Sequence, residues 1–191
     1  MKKALMIVTF LAVAVISTAC INNIAVQELN NKAAEYMQKG DYEAAMSRLQ
    51  ASLDLDASMY QTYYNLGVAA INANKYDVAI DALENGIKIN SDFSDFYYSL
   101  GVAQIGKADD IVEYADTEEI AEANINTNKV NIQREIAPEQ KATVIKLKKS
   151  AIENFEKYLH KNPNTQNKED IEEMIKQSEE DIATLEEGKK N

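Results

Sequence analysis

Tryptophan is absent from these 191 residues, and cysteine and histidine occur once each, as Cys20 and His160. With no second thiol or imidazole, one chain can assemble neither a zinc cluster nor a Cys-His nucleophile pair. Positive charge is also scarce. Twenty Lys and Arg against 31 Asp and Glu leave a net charge of −11, which repels phosphate backbones and argues against nucleic-acid binding as the main task. No long hydrophobic run is present either. The longest, Ala4 to Ile16, has thirteen residues broken only by Thr9. As a helix it spans about 20 Å, short of the ~30 Å hydrocarbon core, which argues against a permanent transmembrane helix. What remains is 46% hydrophobic and 27% charged, the balance of a globular chain with enough apolar content for one compact domain or a short repeat array.

The apolar run follows Lys2 and Lys3 and precedes the small residues Ser17, Thr18 and Ala19, the order of a secretory signal. Ser17-Thr18-Ala19-Cys20 resembles the bacterial lipoprotein signal, with Ser17 where an aliphatic is usual. That resemblance implies cleavage after residue 19, lipidation of Cys20, and a short tether over residues 20–25. An unpaired cysteine in an exported chain needs a physical reason, which lipidation supplies; a free thiol in a differently cleaved leader is the alternative. More than one acyl chain would make the anchoring stable. Ile21 rather than Asp after the cysteine implies the outer membrane if the organism has one.

Self-similarity organises the rest. Tyr63-Tyr64-Asn65-Leu66-Gly67-Val68-Ala69-Ala70-Ile71 returns 34 residues later as Tyr97-Tyr98-Ser99-Leu100-Gly101-Val102-Ala103-Gln104-Ile105. The same shift takes Gly40-Asp41-Tyr42 to Asn74-Lys75-Tyr76 and Leu49 to Leu83. Tyr63, Leu66, Gly67 and Ala70 share one face of a 3.6-residue helix. Gly67 and Gly101 fall mid-helix, where glycine costs about 1 kcal/mol relative to alanine, so their recurrence predicts close helix approach. Gly40 and Asn74, residues that readily take the left-handed conformation, predict the turn. A second helix then begins at Tyr42 or Tyr76, with Ala45, Leu49 and Leu53, or Ala79, Leu83 and Ile87, along one stripe.

These hairpins resemble the tetratricopeptide repeat: an aromatic, then Leu-Gly, then a small residue in the second helix followed by an aromatic or Leu. The resemblance implies an all-α solenoid of about three helical hairpins, the third split by an insertion, closed by a C-terminal capping helix. The expected divisions are a leader at 1–19, anchor and tether at 20–25, and repeats at 26–59 and 60–93. The third unit's first helix follows at 94–106, an acidic insertion at 107–140, its second helix at 141–164, and the capping helix and tail at 165–191. Ala151, Phe155 and Pro163 carry the spacing of the third unit's second helix, and Ile171, Met174, Ile175, Ile182 and Leu185 form the cap's apolar stripe. The insertion holds nine acidic and three basic groups, and the helix after it is lysine-rich, with Lys141, Lys146, Lys148 and Lys149. These charges read as solvated helix faces or as an insertion docked on the lysines.

In tetratricopeptide proteins a second face of the first helices lines a concave groove. Here it carries Tyr64, Val68, Ile71 and Asn72, then Tyr98, Val102 and Ile105, with amides from Asn30, Asn31 and Asn65. Such a groove suits an extended peptide or amphipathic helix. The same residues would alternatively pack against neighbouring helices. The carboxylates lie on charged helical surfaces with no pocket pattern, so no enzyme, cofactor or metal is expected. The functional expectation is a membrane-anchored adaptor of the bacterial cell envelope with a protein or peptide partner. Alternatives are a solute-binding or transport-accessory lipoprotein with the insertion closing a small-ligand pocket, and self-assembly through stacked repeats.

Overall fold

The computed structural model describes residues 23–123 and 136–187. Seven helices and no strand occur among the described residues: α1 (23–38), α2 (Tyr42–Leu55), α3 (Tyr60–Asn72), α4 (Tyr76–Ile89), α5 (Asp95–Ala123), α6 (Pro138–Lys161) and α7 (Lys168–Glu187). They stack as successive hairpins, α1 on α2, α3 on α4 and α5 on α6, with α7 against α6. The expected all-α helical-hairpin solenoid is the fold found.

Local chemistry explains why the turns recur. Gly40 and Asn74 both have positive φ, 75° and 56°. In each case the next residue's amide reaches back five positions, Asp41 N–H to the Tyr36 carbonyl at 2.9 Å and Lys75 N–H to the Ala70 carbonyl at 2.8 Å. This left-handed closure satisfies carbonyls that a helix end leaves open. Asp41 also caps α2, accepting from the Ala44 amide at 3.1 Å. Between hairpins a second turn repeats at the same spacing: Asp56 accepts from Ser58 N–H at 2.8 Å, and Asn90 from Asp92 N–H at 3.1 Å. Both are side chains that mimic a backbone turn.

Small residues let the helices approach. Ala45, Ala79 and Ala151, one per second helix, are fully buried. A Cβ on Gly67 would lie 2.5 Å from Leu83 Cγ, and one on Gly101 2.6 Å from a Phe155 ring carbon, so each glycine gives way to its own hairpin partner. Gly67→Leu is therefore expected to lower stability by about 1–3 kcal/mol through overpacking, read as a lower midpoint in chemical denaturation. An unchanged midpoint would mean that α3 does not press on Leu83.

The expected boundary at residue 107 is corrected. The first helix of the third unit does not end at 106 but runs on as α5 to Ala123, and its partner starts at Pro138 rather than 141. Proline suits a first helical position, where its missing N–H is no loss. Ala108 and Val144 are both fully buried, so the two helices go on packing beyond the length of the other hairpins. Gln104 and Asn154 join them through a buried hydrogen bond of 2.9 Å. Residues 124–135, the middle of the expected insertion, lie outside the described residues, as does the whole leader with Cys20.

Candidate functional site

The ten candidate groove residues divide among three environments: the joint of α1, α2 and α3, the second core cluster, and the cluster around Phe155. Asn30 is held inside the first hairpin: its amide donates to Ser52 Oγ at 2.8 Å and to the Val26 carbonyl at 2.9 Å, and its oxygen accepts from Thr62 Oγ1 at 3.2 Å. It therefore ties α1, α2 and α3 together. Its polar atoms are already engaged, and Asn31 beside it is exposed.

Tyr64 and Ile71 pack on the second core cluster with Phe96, Leu100 and Leu83. Tyr64 meets Phe93 edge-on at 5.0 Å and Phe96 at 5.8 Å, geometries that aromatic quadrupoles favour. Burial, with the charge of Asp95, pushes its phenol above the usual value, and a hydrogen bond with Ser99 offsets part of this. Val68 and Asn65 are half-buried, and Asn72 is exposed with its amide on the Val68 carbonyl at 2.8 Å.

Tyr98, Val102 and Ile105 join a different cluster, around Phe155 and Ile171, with Met174 and Ile175 of α7. Tyr98 lies 6.1 Å from Phe155 and 5.5 Å from Tyr158, centroid to centroid. Tyr158, which departs from the small residues Ser52 and Gly86 of earlier units, reaches Thr165 through its hydroxyl at 3.2 Å. The third unit's part of the expected face is thus shared with the terminal helix. The second unit's part, Tyr64, Asn65, Val68, Ile71 and Asn72, stays together along α3, with Asn31 of α1 as an exposed amide.

Sequence reasoning did not single out Phe93 and Phe96, which wall this face from behind. Phe96 is fully buried and stands over Gly86, where any Cβ would strike its ring. The signal available was the 34-residue shift from Thr62 to Phe96, a small polar residue replaced by a large ring.

The acidic segments and lysines meet at one place. Lys148 of α6, only 6% exposed in its side chain, lies 3.0 Å from Asp109 of α5 and 2.8 Å from Asp181 of α7. Lys149 pairs with Glu186 at 2.9 Å, and Lys107 with Asp77 of α4. So Asp109, from the segment expected to be an insertion, does dock on a lysine of α6. Among the described residues no group of three or more His, Cys, Asp or Glu is placed to hold a metal ion, and no helix is long and apolar enough to cross a membrane.

No curated protein matches the chain. Among solved structures, "Crystal structure of MamA" is 23% identical with a TM-score of 0.42, covering 92% of this chain and 85% of that one. "Crystal structure of MamA protein" is 20% identical with a TM-score of 0.43, covering 87% and 79%. Residues 36–105 match the family model described as tetratricopeptide repeat. Tetratricopeptide repeats are scaffolds for protein–protein interaction, typically without catalysis. With its hairpins, its left-handed turns and this match, the segment 36–105 is built of tetratricopeptide-like repeats.

Proposed function

We propose that this protein is an adaptor of the bacterial cell envelope, held to a membrane by lipid on Cys20, that presents the α1–α3 face to a protein or peptide partner. The observation that carries the reading is the pair of repeats over residues 36–105. Support for the anchor comes from the leader, with Lys2 and Lys3, the short apolar run, and the Ser-Thr-Ala-Cys junction directly upstream of α1. Support for the binding face comes from α3, where Val68 and Asn65 are half-buried beside exposed Asn72. A partly wet strip of apolar and amide groups offers both area and hydrogen bonds to a peptide.

The test has two arms. Cys20→Ala is expected to move the protein from the membrane to the soluble exported fraction; retention after a carbonate wash would replace lipid with a retained helix as the anchor. In native membranes, a photo-crosslinker at Asn72 and another at Asn31 are expected to capture the same partner, and Val68→Asp to abolish that capture. Different products from the two positions, or capture indifferent to Val68→Asp, would defeat the α1–α3 face as the binding surface.

A further inference from the structure

A second surface lies between the second helices of the first two hairpins, over Leu66 of α3. Two cavities of about 530 and 360 Å³ open there, and they share Gln50, Leu66 and Val78, so they form one furrow along α2 and α4. Its floor is Leu66, at 5% exposure, and its walls carry Met46 and the 44%-exposed Val78. Both flanking helices have 14 residues, about 21 Å at 1.5 Å per residue, which is the length of a short helix laid between them.

The two ends of the furrow differ in charge. One end is closed by Lys75, the residue that precedes α4, paired with Glu43 of α2 at 3.6 Å. The other carries Asp54 of α2 and Asp81 of α4, both exposed, with no ion-pair partner among the described residues. Asp54 lies in the last turn of α2, which contains no basic residue. A helix C-terminus already holds a partial negative charge, so a carboxylate there is unfavourable and a cation brought to it is favourable. Asp56, the α2 cap, adds a further carboxylate, engaged with Ser58.

We infer that this furrow is a second docking surface, for an amphipathic helical segment of a partner protein that lays apolar side chains over Leu66 and Val78 and brings Lys or Arg to Asp54 and Asp81. Charge complementarity selects this occupant. An acidic or neutral helix would leave the carboxylates of Asp54 and Asp81 without a cation near a helix C-terminus, whereas a basic end offsets that negative potential. The Lys75–Glu43 end, already neutral, fixes which way the segment lies. This surface is separate from the α1–α3 face, so either can fail without the other.

The probe is a fluorescent peptide about 14 residues long, matched to α2. It has leucines at i, i+4 and i+7, lysines in its last turn and alanine elsewhere; a counterpart has glutamates for the lysines. Anisotropy titration with the purified protein at low salt is expected to give saturable binding of the lysine peptide alone. Asp54→Lys with Asp81→Lys should weaken that binding at least about tenfold and let the glutamate peptide bind instead, while Val78→Asp should weaken binding of the lysine peptide. Equal binding of both peptides, indifference to the double lysine variant, or no saturation below about 1 mM would each overturn the inference. All three positions are exposed, so circular dichroism of the variants is expected to match the parent.

Discussion

Removing Asp109 and Asp181 together, as alanines, is expected to cost about 3 kcal/mol or more and to release α7, whereas Lys148→Met is expected to cost less than about 1.5 kcal/mol. The asymmetry follows from burial. The Lys148 side chain is 6% exposed, while Asp109 and Asp181 are 61% and 35% exposed. Stripping the carboxylates leaves a buried ammonium without its two counter-charges, the costly way to break such a triad. Removing the lysine leaves carboxylates that still reach water, and methionine fills the volume of the stem. Urea denaturation ranks the two variants, and hydrogen exchange across α7 reports release of the cap. A lysine variant that is the worse of the two would show that the ammonium, not the acids, is the solvated partner.

The same triad sets a pH window. Burial favours a lower pKa for Lys148, but hydrogen bonds and charge from Asp181 and Asp109 win, and the net direction is up. Burial likewise pushes Asp181 up, and hydrogen bonds from Lys148 and Gln177 overcome it, so its net direction is down. A depressed carboxylate contributes stability above its unfolded pKa of about 3.9, lost as pH falls through the lower folded value. A raised ammonium contributes fully below about 10.4, lost as pH rises through the higher folded value. The contribution of the triad is therefore flat between those limits, and the destabilisation by the double alanine variant is expected to shrink only toward the acid and alkaline ends.

Much of the fold was legible because it is local. Gly40 and Asn74 announce their left-handed turns, and Tyr42 and Tyr76 open their helices where the spacing puts them. Gly67 and Gly101 were readable as close contacts because glycine is costly mid-helix, and its recurrence at 34 residues signals an approach that a side chain would block. The Asx turns at Asp56 and Asn90 recur at the same shift, but Asp-to-Asn is an inconspicuous match. The continuation of α5 past residue 106 was not legible, since Ala108 and Val144 find their places only when two helices distant in sequence pack. The same limit applies to the candidate face. Periodicity places Tyr64 and Tyr98 alike, 34 residues apart, yet Tyr98 meets α6 and the α7 cluster while Tyr64 meets Phe93 and Phe96. A repeat pattern specifies which way a side chain faces within its unit, and the neighbour it meets depends on where the array ends.

Phe96→Ala is expected to lower stability by about 3–5 kcal/mol, a large share of the roughly 5–15 kcal/mol available to a chain of this size. Phe96 is fully buried, and three rings lean on it: Phe93 at 5.3 Å, Tyr64 at 5.8 Å and Tyr60 at 6.3 Å. Its truncation empties the joint between α3, α4 and α5 and removes the support behind Tyr64, so the candidate binding face loosens with it. Gly86 supplies an internal control. With Phe96 present, a Cβ at 86 strikes the ring, and Gly86→Ala should destabilise. Without the ring, the same methyl enters the vacated space and alanine's helix propensity adds about 1 kcal/mol, so in the Phe96→Ala background Gly86→Ala should stabilise. The double-mutant cycle then shows a coupling that changes the sign of the alanine's effect. Additive penalties across the cycle, measured by urea denaturation of the four proteins, would mean that Phe96 does not cover Gly86 and that the joint between the second and third hairpins is packed by other side chains.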